Sequence, residues 1–386
     1  MPIRNRIAEW QEELTAWRHD LHRHPELRWE ETRTASLVAE RLRGFGCDDV
    51  QEGIARTGVV AVLKGRGPGP VLGFRADMDA LPITEATGVA HASTRRGRMH
   101  ACGHDGHTTM LLAAMRYLAE TRGFDGTVVA LFQPAEEGGG GARAMVEAGV
   151  FDRYGVEAVY GMHNLPGLPA GQFAIRPGTM MAAADFFRLT LRGAGGHAAM
   201  PHQAADTNLA AASLVVALQS IASRSIDAQQ PVVVSVTSMR SDSDTYNVLP
   251  DKVELKGTVR YMAPGLGARI HARMEEIAEG VARTHGVTAR LRYKSGVAPT
   301  VNTAPEAEAA ARAAETVSDA VSREAVPLMA GEDFSDMLAV RPGAFMFLGN
   351  GDSAELHNPA YDFNDAILPI GASWFAALAE GAGRPG

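Results

Sequence analysis

Met99-His100-Ala101-Cys102-Gly103-His104-Asp105-Gly106-His107 places five metal-ligating or proton-carrying side chains within nine residues. A soft thiol, imidazoles and a hard carboxylate sit together just ahead of an apolar helical pattern over residues 108–119. Each such group must be paired or metal-bound when buried. A cluster of this density is therefore costly to place in a core, and it marks where the chemistry of the chain is expected.

Outward from the cluster the pattern alternates. Helical spacing over residues 7–21 and 32–42 is followed by short apolar strands at 58–63 and 71–75. Beyond the cluster come a helix at 108–119 and buried strands at 127–132 and 158–162. Strands alternating with helices indicate an α/β sheet covered on both faces, mixed and mostly parallel. From about residue 184 the order changes to strand 186–191, helix 207–223, strands 232–236 and 252–261, helix 268–285 and strand 287–293. This β-α-β-β-α-β succession is the ferredoxin-like order, expected as an α+β unit inserted into the first domain. After Pro299 the α/β style returns, with a helix at 305–320, a strand at 344–348 and a helix from Ile370. The expected division is 1–183 and 297–386 for the catalytic domain and 184–296 for the insertion.

At 386 residues the chain is long for a single core, which also favours two domains. Its 46% hydrophobic and 21% charged residues are those of an ordinary globular protein. A formal net charge of −8 without a long Lys/Arg run argues against nucleic acid as a partner. Residues 1–20 lack an apolar signal-peptide core, and no segment approaches the ~18 apolar residues of a membrane helix. Two cysteines, Cys47 and Cys102, fit a cytoplasmic chain with one functional thiol better than a disulfide. Cys47, in a glycine-rich turn, reads as inert.

Polar candidates recur just after the expected strands: Asp77 and Asp79, then Glu136 and Glu137, then His163 and Asn164, and finally His357 beyond the 344–348 strand. Ligands of open α/β sheets gather at the carboxyl ends of strands, so these loops converge. Cys102 and His104 with Glu137, His163 and His357 form a donor set suited to Zn, Mn, Ni or Co. Of the adjacent Glu136 and Glu137, one would bind metal and the other serve as general base. Taken singly, the glutamate pair also fits a solvated helix start, and each histidine a structural role. Asp77 and Asp79 fit turn formation as well as orientation of a ligand histidine. Gly138–Gly141 lacks the P-loop lysine and the strand–GxGxxG–helix spacing, which disfavours nucleotide binding.

Together, Met99–Asp105, Gln133-Pro134-Ala135-Glu136-Glu137, Gly161-Met162-His163-Asn164 and Leu356-His357-Asn358-Pro359 resemble the signature of peptidase family M20, subfamily D. Further matches are His24-Pro25-Glu26-Leu27, Arg75–Pro82, His197–His202, Asn247-Val248-Leu249-Pro250 and Gly331-Glu332-Asp333-Phe334, so the likeness spans nearly the whole chain. The resemblance implies a metal-dependent exopeptidase-type catalytic domain with a lid, hydrolysing small N-acyl amino acids such as hippurate or N-acetyl amino acids. It implies two divalent metal ions on Cys102, His104, Glu137, His163 and His357, with Cys102 or Glu137 bridging. Glu136 becomes the general base, His197 of the lid the oxyanion donor, and Asn247 a substrate contact. Asp105 is expected to orient the ligands, while His100 and His107 are assigned no ligand role. Relatives with an HxD metal motif use carboxylates where this chain offers Cys102 and His104.

Two rival readings share these residues. One is a carboxypeptidase or dipeptidase on the same fold. The other is a metal-binding protein without turnover, against which the intact Glu136 argues. The expected partner is a small-molecule substrate, and a homodimer through exposed strand edges of the lid is compatible with the pattern.

Overall fold

Continuous apolar runs build the first sheet. In a computed structural model that describes residues 5–382, strands Gly58–Lys64, Val71–Asp77, Thr127–Gln133, Ala158–Pro166 and Gly343–Gly351 are buried along most of their length. Runs of this kind belong to sheets covered on both faces. Residues 1–4 and 383–386, the outer ends of the expected catalytic segments, lie outside the described residues.

The eight strands lie in the order Asp49–Ile54, Gly58–Lys64, Thr127–Gln133, Val71–Asp77, Ala158–Pro166, Gly343–Gly351, Phe173–Ala174 and Val321–Ser322. The four central strands, from Thr127–Gln133 to Gly343–Gly351, are mutually parallel, and antiparallel pairs flank them. Their carboxyl ends therefore meet. Asp77 stands opposite Gln133, and His163 opposite Phe347. Phe74, Phe132, Trp374 and Phe375 fill the core, while helices Gln11–Arg23, His104–Thr121 and Leu368–Gly381 pack on one another.

Several details depart from the spacing-based reading. The helix after the cluster starts at His104, not near residue 108, so two histidines and Asp105 lie in its first turns. Strand Asp49–Ile54 was not anticipated. It is a half-exposed edge strand with a bulge between Glu52 and Ile54, and so lacks an apolar run. The expected helix 207–223 is an α-helix over Thr207–Leu218 followed by a π turn at Ile221–Ser225. The expected helix 305–320 ends at Glu315.

The chain forms two compact units, the first holding Met1–Met180, Val301–Val326 and Asp333–Gly386, the second Met181–Thr300 and Pro327–Glu332. The short return of residues 327–332 to the second unit has no counterpart in the sequence-based division. Within the second unit the strand order is Val232–Ser241, Lys252–Tyr261, Ala183–Arg192, Thr288–Val297, antiparallel throughout. Alternating burial turns Leu189, Leu191, Val253 and Leu255 towards Leu214 and Met274 of helices Thr207–Leu218 and Leu266–Thr284. Among the described residues no helix is long and apolar enough to cross a membrane.

Candidate metal centre

Gly103 starts the site. It caps helix His104–Thr121 at φ 86°, a region that favours glycine. A Cβ there would also lie 2.3 Å from Asn164 Oδ1. The backbone thus passes against the end of strand Ala158–Pro166, which brings Cys102 to His163, with Sγ 3.4 Å from Nε2. From the other side, the backbone N–H of His357 donates to the Ala101 carbonyl at 2.8 Å. His357 itself sits at φ 64°.

Donor atoms of Cys102, His104 and His163 lie within 4.8 Å of one another, and so do those of Cys102, Glu137 and His357. Cys102 is common to both sets. A third set joins His104 with Glu136 and Glu137. The five residues expected to bind metal, with Glu136 beside them, are therefore brought together.

Hydrogen bonds on the far side of each imidazole fix which nitrogen faces inward. His104 Nδ1 donates to the Asp79 carbonyl at 2.9 Å, and His163 Nδ1 donates to the Asn164 carbonyl at 2.7 Å. Each ring then turns its Nε2 to the cluster, the nitrogen a metal-binding histidine would use. His104 Nε2 is buried without a hydrogen-bond partner, while Glu137 Oε1 lies 3.0 Å from His357 Nε2. Buried polar atoms left so are costly unless something else satisfies them. The unpaired His104 Nε2, with a thiol, carboxylates and imidazoles around it, fits a site for divalent metal ions.

The charges agree. Burial pushes the Cys102 thiol pKa well above its ordinary value, and Glu137, Glu136 and Asp77 push it further. Burial opposes a proton on His104, yet Asp77, Asp79 and Glu137 raise its pKa to about 10. The pocket is thus a concentration of negative charge that calls for cations. His163, by burial and by its neighbour His107, is held well below its ordinary pKa and stays neutral, as a ligand should.

Asp79 positions the acidic loop. Its Oδ1 accepts the Glu136 N–H and its Oδ2 the Glu137 N–H, both at 3.0 Å. Two neighbours outside the expected set complete the surroundings. His107 Nδ1 lies 2.7 Å from Asp77 Oδ1, and its Nε2 lies 2.7 Å from Asn164 Oδ1. Arg75 in turn holds Asp77 at 2.7 Å and Asp333 at 3.1 Å. Asp105 turns instead to His22 at 2.8 Å, and the carboxylates beside His104 are Asp79 at 3.3 Å and Asp77 at 3.6 Å. His100 is buried with neither ring nitrogen hydrogen-bonded, and burial drives its pKa down to about 4. It belongs to none of the donor sets.

His197 and Asn247 lie in the second unit. His197 pairs with Val248 in a two-stranded ribbon, and the Ala198 N–H donates to the Asn247 carbonyl at 3.0 Å. The two residues are thus neighbours on an exposed ribbon.

Glu31 carries no motif signal and was missed. Its Oε1 accepts the N–H of Ala135, the residue just before Glu136, at 2.9 Å.

The sequence model of peptidase family M20/M25/M40 matches residues 73–381. A hippurate hydrolase of Campylobacter jejuni is 40% identical over 97% of this chain and 97% of its own length. An N-acetylcysteine deacetylase of Bacillus subtilis is 38% identical over 95% of this chain and 96% of its own. Among solved structures, a dinuclear metal-binding M20 peptidase of Bacillus subtilis is similar, with a TM-score of 0.85 and 34% identity over 97% of this chain and 98% of that one. The chain belongs to peptidase family M20/M25/M40.

Proposed function

We propose that this protein hydrolyses the amide bond of small N-acyl amino acids, releasing a carboxylic acid and a free amino acid. The observation that carries this is the convergence of Cys102, His104, Glu137, His163 and His357 into two donor sets that share Cys102, beside Glu136. Relatives named for hippurate and N-acetylcysteine support the substrate class, and the dinuclear neighbour supports two ions.

Cys102, His104, Glu137, His163 and His357 would hold two divalent ions, Zn, Mn, Ni or Co, with Cys102 shared. When bound, such ions supply the positive charge that acidifies water and polarises an amide carbonyl. Glu136 takes the proton from the attacking water and delivers it to the departing amine nitrogen. Asp79 holds the backbone amides of both Glu136 and Glu137. His197 donates to the oxyanion of the tetrahedral species, and Asn247 contacts the substrate carboxylate or carbonyl.

A homodimer through the second unit belongs to the same proposal. Strand Val232–Ser241 is an edge strand with Val233 and Met239 exposed, and helix Thr207–Leu218 exposes Leu209 and Val216. A cytoplasmic location is supported by two unpaired cysteines.

The test is a substrate panel on metal-reconstituted protein. Turnover of benzoyl-glycine or acetyl-amino acids is expected. Turnover of dipeptides alone would favour a peptidase, and no turnover with metal bound would refute the enzyme reading.

A further inference from the structure

Glu31 is fully buried and immediately precedes helix Thr32–Gly44. Its Oε1 accepts the backbone N–H of Trp29 and that of Ala135, both at 2.9 Å, and its Oε2 accepts the Thr57 hydroxyl at 2.6 Å. Trp29 and Ala135 lie at φ 67° and φ 52°, where a side chain crowds its own backbone. One carboxylate oxygen thus holds two strained turns. A Cβ at Gly139 would lie 2.6 Å from Ala135 Cβ and 3.1 Å from Trp29 Nε1, so the two turns are close together. Arg28 adds a bond from Nη1 to the Glu137 carbonyl at 2.8 Å.

The amides of Ala135, Glu136 and Glu137 therefore end in succession on two buried carboxylates, Glu31 and then Asp79. Asp79 fixes the two acidic residues themselves. The left-handed residue that sets the direction of the chain into them is held by Glu31.

We propose that Glu31 is a positioning residue for amide hydrolysis, holding the strained Ala135 turn that leads the chain into Glu136. This rests on Glu136 being the general base. Glu31 belongs to none of the donor sets and reaches the acidic loop through the backbone N–H of Ala135, so its effect passes through the backbone. Loss of the carboxylate frees the Ala135 amide and lets Ala135 relax towards negative φ, which displaces Glu136 even though its own N–H stays on Asp79.

The experiment measures kcat, KM, bound metal and thermal midpoint for Glu31→Gln, Glu31→Asp, Glu31→Gln/Ala135→Gly and Glu136→Ala. Misaiming a reacting group by a fraction of an ångström predicts a kcat loss of about tenfold or more in Glu31→Gln, with KM and bound metal near those of the parent. Glycine adopts positive φ without strain, so Ala135→Gly in that background is expected to restore kcat by about threefold or more. A purely structural role would lower the thermal midpoint without this recovery. Glu31→Asp keeps the charge but shortens the reach, and serves if Glu31→Gln does not fold. Parent-like kcat in the folded variant, absence of recovery by Ala135→Gly, or a kcat loss that tracks metal loss would each overturn the proposal. Full activity in Glu136→Ala would instead refute the general-base role of Glu136, and this inference with it.

Discussion

Asp79 Oδ1 accepts the backbone N–H of Glu136 at 3.0 Å; Asp79 also takes the Glu137 N–H at 3.0 Å and receives His104 Nδ1 on its carbonyl. It thereby holds the His104 imidazole and the backbone of both acidic residues. Groups that orient ligands in this way typically matter by about 10–100-fold in affinity or activity. Asp79→Ala is accordingly expected to lower kcat within that range, measured alongside metal content. An unchanged kcat at full metal content would remove Asp79 from the account.

Gly103 is required twice over, by its φ of 86° and by the 2.3 Å separation that a Cβ would have from Asn164 Oδ1. Gly103→Ala must shift Asn164, whose carbonyl holds His163 Nδ1. The expected outcome is a stability loss of about 1–3 kcal/mol together with weaker metal retention. Urea midpoints and metal analysis after dialysis check it; a variant matching the parent in both would contradict the close approach.

His22 supplies a pH signature. Burial opposes its charge, but Asp105 and Glu85 outweigh burial and raise its pKa from 6.5 to about 9. A group with a raised folded-state pKa stabilises fully below pH 6.5 and loses that contribution as pH climbs through about 9. Glu85 acts in the opposite sense. Despite partial burial, its bonds to His22 and Thr87 hold it down to about 2, so its contribution is present above pH 4.5 and fades as pH falls towards 2. His22→Gln should flatten the fall of unfolding free energy across the alkaline window. Urea unfolding at a series of pH values measures this, and identical slopes in both proteins would contradict it.

Removing the metals should also be visible without an assay. An ion bound only by the native state at about 100-fold above its Kd adds about 2.7 kcal/mol. The raised Cys102 pKa means that the metal-free thiol keeps its proton at neutral pH, and rebinding must expel it. Chelation is expected to lower the thermal midpoint, and rebinding to release protons, read by calorimetry in buffers of different ionisation enthalpy. An unshifted midpoint with no proton release would argue against a thiolate ligand.

Much of this was legible in the sequence because the chemistry sits where strands end. Asp77, Glu136, His163 and His357 each follow an apolar run, and the runs declared the parallel centre of the sheet. The β-α-β-β-α-β order of the second unit was equally plain, since Leu189, Leu191, Val253 and Leu255 alternate with polar residues. Other features left no such trace. His104 lies inside a helix whose first turns are buried on all sides, so amphipathic spacing began too late. Strand Asp49–Ile54 is an edge with little apolar content. The contact from Glu31 to Ala135 joins residues 104 apart in sequence, and no periodicity encodes it. Asp105 looked like an orienting group because it adjoins His104, but on a helix adjacent residues face apart, and it reaches His22 instead.

The central claim is that Glu136 moves the proton in a reaction carried out beside bound metal. The measurement that bears on it most directly is kcat of Glu136→Ala on the preferred N-acyl amino acid, with metal counted in the same sample. General-base catalysis is worth about 10²–10⁴-fold, so kcat should fall by at least the lower figure while metal occupancy stays at the parent level. Retained activity at full metal occupancy would contradict the account.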